Sequence, residues 1–273
     1  CIRDSVLPER YYIKFDVPST YFVSPQDSNV TNDFDDSDVN ATGYTKPFGV
    51  YSNTDDLSFD MGIFQKATIG DRIWYDTNMD GIQDPTELNV TVPINVKLRY
   101  EGNSSIAMEQ TVSNGSYKFI NVIPNNYVVE FSLPSNYALS PRGAGGDDTK
   151  DSDVNATTMR SDVITILNSG DLDLSVDMGI YELASIGDRI WIDTSANGIQ
   201  DAGEPNYSGS VTVTLYNSTN GVVASQVTTN GAYLFKELTP AAYSVGFTLP
   251  SGYVVTTKGV GGANDSDVDS VTL

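Results

Sequence analysis

Residues 69–75 read Ile69-Gly70-Asp71-Arg72-Ile73-Trp74-Tyr75, and the phrase returns at 186–192 as Ile186-Gly187-Asp188-Arg189-Ile190-Trp191-Ile192, an offset of 117 positions. Recurrence at a fixed interval settles the architecture before any single motif does. Landmarks downstream keep the same order. Gly81-Ile82-Gln83-Asp84 matches Gly198-Ile199-Gln200-Asp201, and Asn114-Gly115-Ser116-Tyr117 matches Asn230-Gly231-Ala232-Tyr233. Phe131-Ser132-Leu133-Pro134 matches Phe247-Thr248-Leu249-Pro250. The tail Asp177-Met178-Gly179-Ile180-Tyr181 closes one unit, and Asp60-Met61-Gly62-Ile63-Phe64 closes an earlier one. Residues 1–66 therefore read as the C-terminal part of a repeat, 67–183 as a complete repeat, and 184–273 as a repeat lacking its last strand. The chain starts and stops inside repeats, as a piece of a longer array would. A unit of about 117 residues exceeds a solenoid turn and matches a domain with its own core. Only a few residues separate Ile180 from Ile186, which predicts limited freedom between neighbours.

Within a unit the pattern is β throughout. Leu172, Leu174, Val176, Met178 and Ile180 alternate with polar residues, the signature of a half-buried strand. Val211, Val213 and Leu215 alternate with Thr212 and Thr214 in the same way. Asn114-Gly115 and Asn230-Gly231, each flanked by strand-like residues, predict hairpins. Several short strands with turn signals between them predict a β-sandwich, with Trp74 and Trp191 as core anchors.

The 273 residues carry 36 acidic and 15 basic side chains, a net charge of −21. Such a surface repels nucleic acid and anionic membranes and attracts divalent cations. Regularly patterned Tyr, Phe, Val and Ile argue against disorder. Cys1 is the lone cysteine, so no disulfide forms within the chain, and histidine is absent. That removes the commonest general base and the commonest zinc ligand. No apolar run reaches about 18 residues, so nothing in this segment inserts into a membrane, and no signal peptide is visible.

The sharpest motif is Asp76-Thr77-Asn78-Met79-Asp80-Gly81-Ile82-Gln83-Asp84-Pro85-Thr86-Glu87. It fits the calcium-loop pattern at every specified position. Calcium takes six to eight oxygen ligands, and a short loop can wrap it only if alternate residues point inward. Asp76, Asn78 and Asp80 would supply side-chain oxygens, and Ile82 a backbone carbonyl. Asp84 would bind directly or through water, and Glu87 would close the shell. The later repeat offers Asp193, Ser195, Asn197, Ile199, Asp201 and Glu204, with Ser195 the weaker ligand. A strand precedes each loop and a proline lies at or after its end, so the loop belongs to a β domain rather than to a helix pair.

A second acidic cluster recurs: Asp35, Asp36 and Asp38; Asp147, Asp148, Asp151 and Asp153; Asp265, Asp267 and Asp269. Packed carboxylates repel unless a cation neutralises them. Paired carboxylates can also perform acid–base chemistry, but these stand in Gly-rich loops with no nucleophile or histidine beside them. The expectation is a second calcium site and no enzyme.

The run from Ile69 to Glu87, with the later Asn114-Gly115-Ser116-Tyr117, Gly146-Asp147-Asp148 and Asp177-Met178-Gly179-Ile180-Tyr181, resembles the B-repeat of SdrD-type surface adhesins. Those repeats are calcium-binding relatives of the collagen-adhesin B-type domain. The resemblance covers essentially the whole chain. It implies tandem Ig-like or prealbumin-like β-sandwiches, several calcium ions per unit with the loop residues above as ligands, and a rod that projects other domains from a cell surface. Collagen-adhesin relatives often carry a Lys–Asn isopeptide bond; Arg72 and Arg189 stand in the first strand instead of lysine, which speaks against one here. The chain also holds nine Asn-x-Ser/Thr sequons, at Asn29, Asn40, Asn89, Asn103, Asn114, Asn155, Asn206, Asn217 and Asn264. They are candidate surface attachment sites if the source glycosylates, and would then point to a eukaryotic or archaeal surface protein. The function expected is an extracellular stalk or filament segment stiffened by calcium. Its partners would be neighbouring repeats, with other copies in a filament as a further option. The competing expectation is an adhesive module whose loops bind a glycan or a surface protein.

Overall fold

The computed structural model describes residues 6–28, 35–259, 262 and 264–269, and every regular element among them is a β-strand. The first segment holds β1 (Arg10–Tyr11), β2 (Phe22–Val23), β3 (Phe48–Gly49) and β4 (Ile63–Phe64). The middle repeat holds β5 (Ala67–Tyr75), β6 (Ile94–Tyr100), β7 (Ile106–Val112), β8 (Ser116–Val122), β9 (Asn125–Phe131), β10 (Tyr137–Leu139), β11 (Ile164–Ile166), β12 (Leu172–Asp173) and β13 (Met178–Glu182). The last repeat holds β14 (Ala184–Arg189), β15 (Thr212–Asn217), β16 (Val222–Val227), β17 (Ala232–Leu238) and β18 (Tyr243–Phe247). The chain divides into two compact units, Cys1–Pro134 with Leu139–Ile180, and Ser135–Ala138 with Tyr181–Leu273.

The middle repeat is a two-layer sandwich. One layer has the order β11-β9-β6-β7, and the other β10-β13-β5-β12 with β8 added on β5. The nine-residue β5 is the spine of the second layer. Its residues Ala67 to Arg72 pair antiparallel with β8 along one edge. Its other edge takes β12 and β13 in parallel, Leu172 against Thr68 and Met178 against Ile73. Ile94, Val96 and Leu98 of β6 are fully buried, while the intervening Asn95, Lys97 and Arg99 face outward. Burial of each such aliphatic side chain is worth about 1.5–3 kcal/mol. Tyr117 of β8 meets Phe131 of β9 edge to face at 5.5 Å, linking the layers beside the fully buried Trp74.

The last repeat follows the same plan with a smaller core of Val211, Val213, Leu215, Phe235 and Leu238. Tyr233 and Phe247 reproduce the edge-to-face pair, also at 5.5 Å. Trp191 here is only half-buried, in contrast to Trp74.

Two local expectations need correction. The Asn114-Gly115 turn does not make a hairpin: β7 pairs with β6 in one layer, whereas β8 pairs with β5 in the other. Asn114-Gly115 therefore carries the chain between layers. Gly115 O accepts from Ile73 N, and a Cβ on Gly115 (φ 64°) would fall 2.4 Å from Ile73 O. The anchor to the opposite layer, rather than a turn type, sets this crossing. Asn230-Gly231 does make the expected tight two-residue turn, with Thr229 and Ala232 pairing antiparallel and φ of 50° and 75° at the turn residues, although β16 and β17 then go to different sheets and Gly231 O accepts from Ile190 N. The alternating run 172–180 is likewise two short strands. Asp173 accepts from the backbone N and hydroxyl of Ser175, and Asp177 accepts from Arg72 N, so side chains take over the backbone pairing between β12 and β13.

Candidate metal centre

The loop 76–87 leaves the end of β5 and is drawn together by its own acidic side chains. Asp76 is fully buried, and its two carboxylate oxygens accept from Gly81 N at 2.8 Å and Asp80 N at 3.2 Å. Glu87, 5% exposed, accepts from Thr77 N and Asp84 N. Asp80 and Asp84 both turn toward the amide of Asn78, at 2.9 and 3.1 Å. Four carboxylates and one amide thus converge on a loop of twelve residues, the hard-oxygen set calcium prefers. Sequence reasoning passed over a sixth participant, Arg72. Its guanidinium donates to Gln83 Oε1, Glu87 O and Asn89 Oδ1, clamping the loop to β5 from outside. The signal was there, because Arg189 recurs at the same offset and bonds Gln200 and Asn206.

The second acidic loop is laced onto the first. Gln83 N donates to Lys150 O at 2.7 Å, and Ser152 N donates to Gly81 O at 3.1 Å. Among the described residues, Asp148, Asp151 and Asp153 bring one carboxylate oxygen each within 4.8 Å of one another. Asp151 is 4% exposed, and its Oδ1 has no hydrogen-bond partner. Leaving a buried carboxylate oxygen unsatisfied costs on the order of 1–3 kcal/mol, and a cation held by the three aspartates would remove that cost. Burial pushes the Asp153 carboxyl up to about 7, reinforced by Asp148 and Asp151. Burial also pushes Asp177 up to about 8; one of its oxygens accepts from Arg72 N, and its own N–H donates to Asp153. Asp147 stays apart: Lys150 and Thr149 hold it down at about 2, and it is exposed.

The last repeat builds the same pair of loops. Asp193 accepts from Gly198 N, Glu204 from Thr194 N, and Asp201 from the Asn197 amide and the Ser195 hydroxyl. Gln200 N donates to Asn264 O and Ser266 N to Gly198 O, matching the middle repeat bond for bond. Ile199 takes the position of Ile82, each bridged to the acidic loop, at Asp265 and Asp151. Asp265 is buried, whereas Asp267 and Asp269 are exposed. In the first segment Asp36 and Asp38 are buried and Asp35 is exposed.

The sequons turn out to carry turn chemistry. Asn103 Oδ1 accepts from Ser105 N and its hydroxyl, and Asn217 Oδ1 does so from Thr219. Asn40, Asn114 and Asn155 cap turns in similar fashion. Asn89 and Asn206 use their amide nitrogens to hold the carbonyls of Asn114 and Asn230. Asn264 is exposed, and Asn29 lies outside the described residues.

A β-sandwich repeat with one acidic loop laced onto another defines a class: tandem β-sandwich domains built around paired acidic loops. A family model described as SdrD B-like domain matches residues 67–180 and 184–273, and the chain belongs to that family. It is 34% identical to serine-aspartate repeat-containing protein F of Staphylococcus epidermidis, over 98% of this chain and 16% of that protein. It is also 34% identical to serine-aspartate repeat-containing protein D of Staphylococcus aureus strain Newman, over 95% of this chain and 19% of that protein. The chain therefore spans under a fifth of either relative. A solved structure, the Bacillus anthracis TIE protein, aligns over 92% of this chain and 38% of its own at a TM-score of 0.34 and 15% identity, too distant to carry an argument. These are repeats of cell-surface proteins, and the segment is extracellular; no helix among the described residues is long and apolar enough to cross a membrane.

Proposed function

We propose that the chain is a spacer segment of a surface adhesin, that calcium in the loops 76–87 and 193–204 and at the Asp148–Asp151–Asp153 cluster stiffens it, and that it performs no catalysis. The observation carrying this reading is the partnerless, buried Oδ1 of Asp151 beside two further carboxylates, in a loop bonded to Gly81 of the calcium-type loop. A cation there would hold two loops at once, so its binding energy would add to the stability of the repeat. At a hundredfold excess over the dissociation constant that addition is about 2.7 kcal/mol per site. Calorimetric titration with calcium, and melting in calcium against chelator, test it. The expected result is saturable binding and a higher melting temperature in calcium; an unchanged melt after exhaustive chelation would overturn it.

A further inference from the structure

The strand β4 ends at Phe64 and β5 begins at Ala67, so Gln65 and Lys66 alone join the first segment to the middle repeat. Connections of this kind ordinarily run over the surface, held only at their ends. Here both residues are half-buried and are gripped from two sides. On the side of the first segment, the Lys66 ammonium lies 3.8 Å from the centre of the Phe22 ring, and that ring stands 6.0 Å from the ring of Phe64.

On the side of the middle repeat the grip is a turn, Asn168-Ser169-Gly170-Asp171, lying between β11 and β12. The turn closes on itself. Asp171 N donates to Asn168 O at 3.4 Å, Asn168 N donates to Asp171 Oδ2 at 2.9 Å, and Gly170 takes a φ of 85°. A positive φ at the third position of a turn is what glycine supplies without strain. Closed in this way, the turn presents a hydroxyl, an N–H and a carbonyl in a row along the linker. Gln65 N donates to Ser169 Oγ, Gly170 N donates to Gln65 O at 3.1 Å, and Thr68 N donates to Asp171 O at 2.9 Å. A Cβ on Gly170 would fall 2.9 Å from Gln65 Oε1, a measure of how closely turn and linker approach. Immediately beyond, Leu172 and Asp173 pair with Thr68 and Ile69, so the grip runs on into the sheet. The acceptors in this row are one hydroxyl and two carbonyls, and neither the linker nor the turn belongs to an acidic loop of the candidate metal centre.

We infer that the turn Asn168–Asp171 is a docking site for the linker that enters its own repeat, and that it holds the joint between repeats without any cation. The Asp171 carboxylate shapes the turn through Asn168 N, Ser169 and Gly170 take the linker backbone, and Phe22 takes the Lys66 side chain. The inference goes beyond the calcium reading and stands apart from it, because every group that makes the joint finds its partner within the chain.

Amide hydrogen exchange on the full chain tests it, in calcium and again in chelator. Exchange at an amide reports the opening of its own bond when that opening is local. The expected result is slow exchange at Gln65 and Thr68 in both media. Ser169→Ala, which removes one hydroxyl and little packing, should speed exchange at Gln65 about tenfold, and Gly170→Val should speed it at both positions. Leu98, in the core strand β6, should stay within about twofold. Cleavage after Lys66 by a lysine-specific protease should rise in step with Gln65 exchange, while cleavage after Lys97 in β6 should not. Fast exchange at Gln65 in the unaltered chain overturns the inference. So does protection that disappears in chelator, since the joint would then depend on the ion. Acceleration at Leu98 equal to that at Gln65 overturns it as well, by showing that the turn serves the core of its own repeat rather than the linker.

Discussion

Two aspartates four positions apart behave in opposite ways. Asp147 is exposed and neutralised by Lys150, whereas Asp151 is buried with an oxygen that nothing in the protein satisfies. Charge alone would make them equal ligands, so substitution separates the readings. Asp151→Asn is expected to weaken calcium binding at least tenfold, about 1.4 kcal/mol. Asp147→Asn should leave it within twofold; isothermal calorimetry on the two variants decides. The buried carboxyls also set a pH dependence. In the folded chain burial raises Asp153 to about 7 and Asp177 to about 8, while an unfolded aspartate titrates near 3.9. Between those values the native state holds protons that the unfolded state has released, so this contribution is complete below about pH 4 and is lost as pH rises toward 8. In chelator the melting temperature should fall from pH 5 to pH 8, and Asp177→Asn should flatten that slope. A slope unaltered by the substitution would place the effect elsewhere, in the general charge of the surface. None of this was visible in sequence, because the aspartates of each acidic run look alike until the fold buries some and leaves others in water.

At the level of elements, the twelve-residue loops were legible because the convergence of their oxygen-bearing side chains follows from local spacing, and each loop closes on its own hydrogen bonds. The loop 76–87 carries Asp76, Asp80, Asp84 and Glu87, and the loop 193–204 carries Asp193, Asp201 and Glu204. Ligand charge tunes calcium affinity, so the later loop should bind more weakly; titration of Glu87→Gln and Glu204→Gln variants, each reporting the other loop, would show the order. Equal affinities would mean that ligand charge does not set the order. What sequence missed at this scale was non-local. The Asn114-Gly115 signal is real as a turn, but its hydrogen bond runs from Ile73 N in the opposite layer to Gly115 O rather than to the next strand. The alternation over 172–180 does not carry into burial, because Leu172 is exposed while Val176 to Ile180, Asp177 among them, are all buried, and Asp173 and Asp177 interrupt the pairing with side-chain bonds. Docking of the acidic loop on the calcium-type loop joins residues some seventy positions apart, and no local pattern encodes it.

For the whole molecule, repetition did most of the work. One sandwich plan, read once from the phrase around Trp74, accounts for the core pair Tyr117–Phe131 and again for Tyr233–Phe247. If calcium stiffens the segment, small-angle scattering on the full chain should show a larger maximum dimension in calcium than in chelator. Identical profiles in the two conditions would confine the ion's role to local loop folding.

The parallel seating of β13 on β5 has a mechanical meaning. The chain enters the middle repeat through β5 and leaves it through β13, and because these neighbours point the same way, its two ends depart from opposite ends of the pair. Tension applied along the chain therefore slides one strand past the other. The bonds of Asp76 to Ile180 and Arg72 to Asp177 share the load together instead of parting one after another as in an unzipping hairpin. Pulling a single chain by its ends should give an abrupt high-force rupture for this repeat. A gradual, low-force extension would show that the strands peel. A segment built this way resists shear through the order in which its strands are connected.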